Sequence, residues 1–155
     1  MAHLDLSEAV REQRHVDMVV WTLSTDALGK RAQAGPTVEQ RRAVLEEIAR
    51  DYPWLEVQVT DAQLISDIAI GFDVVVMGAD KWDQINDPIW YPSATARDEA
   101  IAALPEVAVA PRPPHPLPSE HAVRFENNEL VSSTAARAGA HHLMLPQALA
   151  SGLWT

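Results

Sequence analysis

The run Ser132-Ser133-Thr134-Ala135-Ala136-Arg137 joins three hydroxyls, two alanines and a guanidinium. Hydroxyls ahead of alanines suit the start of a helix, where side-chain oxygens accept from first-turn amides that lack an intrahelical partner. Arg137 is the discordant member. A cation in the first turn or so opposes the positive end of the helix dipole, where an acid is ordinarily favoured. A bound phosphate reconciles these residues, because amides, hydroxyls and guanidinium would then converge on one anion. An anion site is therefore preferred here to a plain helix cap.

A second grouping is Gly78-Ala79-Asp80, directly after the apolar run Asp73-Val74-Val75-Val76-Met77. In an open parallel sheet, ligands bind beyond the carboxyl ends of the strands, so this turn falls at the expected mouth. Glycine there allows close approach of a ligand to the backbone, and Asp80 can accept hydrogen bonds from a ribose or an amino group. Lys81 and Trp82 add a cation and a flat surface. For Gly-x-Asp alone, a tight turn with a helix-capping aspartate explains as much. Trp82, Trp90 and Tyr91 form an aromatic group after the strand that would suit a base or a pyridine ring, although aromatics near a loop more often pack. His3, close to the start, reads as a solvated histidine. His115, His121, His141 and His142 lack the i, i+4 spacing of a helical metal pair, so no protein-held metal is expected. No nucleophile, base and acid stand out as a set.

The elements that must position these groups alternate along the chain. Residues Leu4 to Arg14 have the pattern of an amphipathic helix, with Leu6, Ala9 and Val10 as apolar positions. Val16 to Leu23 reads as a strand whose nearly continuous apolar character suits a parallel sheet covered on both faces. Thr37 caps a helix through Arg50, Leu55 to Val59 alternates as a strand, and Asp61 is expected to cap a helix running to about Ile70 and closed by Gly71. Asp73 to Met77 is the clearest buried strand. A helix from about Ala94 to Leu104 and a strand from Val107 to Ala110 continue the alternation. Such strand-helix units predict a mainly parallel Rossmann-like α/β/α domain with right-handed crossovers. The proline-dense Pro111 to Pro118 is a stiff loop, and the residues after it should pack back on the sheet.

Length and composition bound the partners. A chain of 155 residues with 47% hydrophobic content fits one domain over residues 1–155 with a sizeable core. With 12 basic against 22 acidic residues and a formal charge of -10, long nucleic acids are poor partners, while a small anion can still find a local basic site. There is no apolar run of membrane-spanning length and no cysteine, so no membrane partner and no disulfide is expected, and the chain reads as soluble and cytoplasmic.

Taken in order, these segments resemble the nucleotidyltransferase superfamily that carries a His-x-Gly-His signature, and within it the nicotinate or nicotinamide mononucleotide adenylyltransferases. Val131 to Arg137 looks like that family's Ile-Ser-Ser-Thr-x-x-Arg motif, and Leu145-Pro146 like the short step that follows it. Val75 to Asp80 with Trp90 downstream resembles its strand, Gly-x-Asp and tryptophan; Arg112-Pro113 is similar to its Arg-Pro segment; Lys30 and Arg41 match basic positions in its earlier loop and helix. The likeness spans nearly the whole chain, and Ser-Ser-Thr-x-x-Arg is its specific part.

The resemblance implies transfer of the adenylyl group of ATP to nicotinate or nicotinamide mononucleotide with release of pyrophosphate, Mg²⁺ being carried by the ATP phosphates. It implies that His3 and Arg137 act on the phosphates in catalysis, that Ser132, Ser133, Thr134 and Lys30 bind the triphosphate, and that Gly78, Asp80 and Trp90 meet the nucleotide. The partners are then ATP and a small phosphorylated acceptor, with a homo-oligomer left open. Two rival readings remain: a nucleotide-binding module of the same fold with impaired catalysis, and a related adenylyl- or cytidylyltransferase with another acceptor. At the beginning, Met1-Ala2-His3-Leu4 lines up with x-Gly-His-Leu, Ala2 replacing the glycine. The first strand, glycine-rich turn and first histidine of such a family have no counterpart. This implies a natural start about twenty residues before Met1, one strand plus its turn, or else a gap beside the topological switch point that another chain could fill.

Overall fold

The buried residues Leu4, Ser7 and Val10 recur every third position along helix α1 (Ala2–Arg14) and form one stripe on it. In the computed structural model, which describes residues 2–26, 35–124 and 138–154, this stripe organises the molecule. His15 reverses the chain with a positive φ of 53°, and β1 (Val19–Ser24) follows. Helix α2 (Val38–Ala49) starts at a capping box in which the Gln40 amide donates to Thr37 Oγ1 at 3.2 Å and the Thr37 amide to Gln40 Oε1 at 2.8 Å. β2 (Leu55–Thr60) pairs in parallel with β1 from Val19↔Leu55 to Ser24↔Thr60. Beyond the short α3 (Ile65–Ile68) and Gly71, with φ 85°, lie β3 (Val74–Gly78) and α4 (Ala79–Asn86). A 3-10 turn, Pro88–Trp90, leads to α5 (Ala94–Ala102), capped by Ser93, and to β4 (Glu106–Ala110), which pairs in parallel with β3. After a second 3-10 turn, His141–Leu143, the last helix is α6 (Pro146–Ala150).

Alternating strands and helices with parallel pairing give a mixed α/β fold of the Rossmann type. The expected sheet is nevertheless divided: β1-β2 and β3-β4 form separate two-stranded sheets. Helix α1 bridges them. Its Leu4 packs with Val44, Ile48 and Leu55 and with Val19 and Trp21 on the β1-β2 side, while its Val10 packs with Ala108, Val123 and Val74 on the β3-β4 side. Between these anchors Ser7, only 6% exposed, donates to the His3 carbonyl at 2.7 Å and accepts from Trp21 Nε1 at 2.9 Å. A cavity of about 1080 Å³ lies between the half-sheets, lined by α1, β1 and β3.

This division corrects the expectation of a buried strand at Asp73 to Met77, because Val76 is 36% exposed and, among the described residues, no strand pairs with β3 on the side away from β4. The helix expected from Asp61 to Ile70 shrinks to Ile65–Ile68, whose N-cap, Leu64, offers no side-chain bond. Residues before it are held differently: the Ala62 amide donates to Thr60 Oγ1 at 3.1 Å and the Ala62 carbonyl accepts from Ser24 Oγ at 2.9 Å. These bonds tie the segment to the strand ends and keep it from winding. The strand expected from Val16 begins at Val19, after the turn at His15. Residues after the proline loop do pack back, chiefly on the α2 side, where Leu145, Ala148, Leu153 and Trp154 join the Leu4 cluster. No helix among the described residues is long and apolar enough to cross a membrane.

Candidate functional site

Helix direction decides which end of the molecule carries the site. Arg14, at the end of α1, stands 3.1 Å from Glu106 Oε1 at the start of β4, so α1 runs opposite to β4. Its beginning, with His3, therefore lies toward the carboxyl ends of the strands, where ligands of open parallel sheets bind. His3 is exposed and lines the cavity between the half-sheets.

At that same end β3 finishes with Gly78, which is also the N-cap of α4 and gives no side-chain cap. The first turn of α4 thus begins without a side-chain cap from Gly78, and the positive end of the helix dipole lies at this turn. Asp80 sits in that first turn and folds back over Gly78: a Cβ placed on Gly78 would meet Asp80 Oδ1 at 2.5 Å and Arg112 Cβ at 3.9 Å. Glycine here makes room for the Asp80 carboxylate. Arg112, two residues past the end of β4, has its Cβ beside that turn. The Asp80 carboxylate at this strand end suits a ligand with hydroxyl or amino donors.

The surrounding loop is pinned to α4. His115 Nδ1 lies 2.6 Å from Asp83 Oδ2, and the His115 amide donates to the Arg112 carbonyl at 2.9 Å. Trp82 packs into the β3-β4 core and meets His121 edge-on, with ring centroids 5.0 Å apart. Lys81 Nζ donates to Gln84 Oε1 along the helix. Tyr91 Oη donates to the Ile85 carbonyl at 2.9 Å, and burial pushes its phenol above the ordinary value against the opposing effect of Arg97.

The structure thus brings Gly78 and Asp80 together and places His3 at the same end of the strands. It does not bring Trp90 to them: Trp90, 36% exposed, follows the far end of α4, about 12 Å of helix from Gly78. Nor do the aromatics form the single group expected, since Trp82 is core, Tyr91 is bonded to α4 and Trp90 faces outward. Lys30, Ser132, Ser133, Thr134 and Arg137 lie outside the described residues. Arg112, matched in the sequence only as part of an Arg-Pro segment, and the Asp83-His115 pair were not assigned to the site. The available signal for Arg112 was a basic residue just beyond the carboxyl end of a parallel strand. Among the described residues no group of three or more histidines and carboxylates is arranged to hold a metal ion.

Comparison with curated proteins yields no match. A family model does match, over residues 1–139, and so takes in both half-sheets, the Gly78 turn, Arg112 and the Ser132 to Arg137 run. By that match across most of its length, the chain belongs to the cytidylyltransferase-like family.

Proposed function

We propose that the protein transfers the adenylyl group of ATP to nicotinate or nicotinamide mononucleotide. The observation that carries the reading is the family match over residues 1–139, within which the Ser132 to Arg137 run supplies an anion grip and Gly78 and Asp80 stand at the strand ends. A phosphate oxygen of the acceptor attacks the α-phosphorus of ATP, the bond to the bridging oxygen breaks, and pyrophosphate leaves. Such transfers depend on positioning and on neutralising charge at the oxygens, with little acid-base work. Mg²⁺ enters on the ATP phosphates as part of the substrate.

In this scheme His3 and Arg137 meet the phosphates, Ser132, Ser133, Thr134 and Lys30 hold the triphosphate, and Asp80 accepts from the nucleotide beside Gly78. Trp90 offers a face for stacking at the other end of α4. Pyrophosphate release is measured with Mg-ATP and each mononucleotide in turn, and with CTP as the alternative donor. Release that requires ATP and a pyridine mononucleotide supports the proposal; release only with CTP, or only with another acceptor, refutes it. In the active protein, Arg137→Ala should lower turnover by about 2 to 4 kcal/mol in barrier, roughly 30- to 1000-fold. Unchanged turnover would remove Arg137 from the phosphate site.

The division of the sheet favours a second reading, a nucleotide-binding module with little turnover, because among the described residues no strand joins the two halves beside the candidate site. Calorimetric binding of ATP without pyrophosphate release in the same sample supports that reading over the first.

A further inference from the structure

Helix α4 carries two carboxylates on one face, for Asp80 and Asp83 stand three residues apart, a spacing that sets side chains on the same side of a helix. The two are held differently. Asp80 folds back over Gly78, with Oδ1 2.5 Å and Cγ 3.7 Å from where a Gly78 Cβ would stand. Asp83 Oδ2 instead meets His115 Nδ1 at 2.6 Å. An ionised carboxylate only accepts, so Nδ1 carries the hydrogen of that bond. One acid is left to the strand end, and the other is taken up by the loop beyond β4.

That loop is built to move as one piece. Of the three residues after Arg112 only His115 has a backbone N–H, because Pro113 and Pro114 lack one and have φ fixed by their rings. The His115 amide donates to the Arg112 carbonyl at 2.9 Å and closes the turn, with Arg112 and His115 bridged in antiparallel sense. A stiff closed turn passes a constraint from one end to the other. At one end His115 is fixed to Asp83; at the other, Arg112 Cβ lies 3.9 Å from the same Gly78 Cβ position that Asp80 crowds. Arg112 Cβ and the Asp80 carboxylate therefore flank Gly78 together. The Asp83 and His115 side chains are each 39% exposed, and pairs so placed add little to global stability. Their effect lies in where they put the turn.

We propose that Asp83 and His115 are positioning residues for nucleotide recognition, given the reading of Asp80 as a nucleotide contact in the proposed transfer. By latching turn 112–115 to α4 they set the wall that keeps the Asp80 carboxylate over Gly78, directed to accept from a ribose hydroxyl or an amino group. Without the latch the turn swings from the end of β4 and the carboxylate gains room to rotate. It must then be ordered again when the nucleotide binds, so affinity falls while the fold stays.

The test is a double-mutant cycle on Mg-ATP affinity, measured by calorimetry on the full chain with melting temperatures recorded in parallel. His115→Ala and Asp83→Ala should each weaken Mg-ATP about fivefold with little change in melting. Together they should cost no more than either alone, since both break one link. They break it from opposite sides, so a variant that folds poorly leaves the other to decide. His115→Gln, whose amide can still donate to Asp83, should keep most of the affinity. In an Asp80→Ala background, His115→Ala should weaken binding no further. The proposal is overturned if a folded single variant binds as the native chain does, or if a folded His115→Gln loses as much as His115→Ala. It is equally overturned if the losses from His115→Ala and Asp80→Ala multiply, for the pair would then act elsewhere than on Asp80. Pyrophosphate release judges the transfer separately. A chain that binds CTP and not ATP refutes the adenylyl reading alone, and the same cycle is then read with CTP; a chain that binds neither overturns the latch as well, since no nucleotide contact is left for it to position.

Discussion

A methyl group on Gly78 would stand 2.5 Å from Asp80 Oδ1, well inside contact distance, yet the backbone there, at φ -78° and ψ 158°, is open to any residue. Gly78→Ala should therefore leave the melting temperature nearly unchanged while forcing the carboxylate to swing away. If Asp80 meets the nucleotide, ATP affinity by calorimetry falls about tenfold, a little over 1 kcal/mol; an unchanged affinity would show that the carboxylate does not touch it. A second residue-scale expectation concerns Ser7, whose hydroxyl accepts from Trp21 Nε1. Ser7→Ala leaves that indole N–H without its acceptor in a half-buried place, at a cost of about 1 to 2 kcal/mol in urea unfolding. The Gly-x-Asp turn was legible in the sequence because glycine and aspartate after an apolar run are a local signal. Arg112 was less so, since its role depends on β4 ending two residues earlier and on a loop folding over α4, neither of which local pattern encodes.

Helix α2 shows how an element's ends reach its stability. Loss of the reciprocal bonds in Thr37→Ala should cost about 1 kcal/mol in thermal or urea melts. Glu39, in the first turn, has its carboxyl held below the ordinary value by its own backbone amide and then by the Thr37 hydroxyl. A carboxyl lowered on folding stabilises above its unfolded value and loses that contribution as pH falls through the folded one. Glu39→Gln should thus melt lower than the native chain at neutral pH, with the difference closing in acid; a difference that persists in acid assigns the effect to something other than the charge. The Thr37 cap was legible because capping is written in neighbouring residues. The helix assigned to Asp61 was misread for the opposite reason: Ser24, distant in sequence, binds the Ala62 carbonyl, and so a tertiary contact overrode a local start signal.

For the molecule as a whole, periodicity identified the strands, and the alternation fixed their parallel sense; it could not reveal that they form two sheets, because pairing is decided by which edges meet. The expectation of a phosphate site at Ser132 to Arg137 is carried by residue types within six consecutive positions, a local signal. Val10, 1% exposed, holds α1 to the β3-β4 side, and Val10→Ala should lower global stability by about 2 kcal/mol from lost burial and the cavity left behind. The bridging position of α1 has a further consequence for how the protein opens. A two-stranded sheet is marginal by itself in water, and the described residues show no backbone bond from one half-sheet to the other. Release of α1 would strip cover from both halves in a single event, so the helix cannot behave as an independently fraying unit. Its central amides should exchange only through complete unfolding, with a free energy equal to that from denaturant titration. Faster exchange in α1 would mean that each half carries its own cooperativity and that the molecule unfolds in two stages.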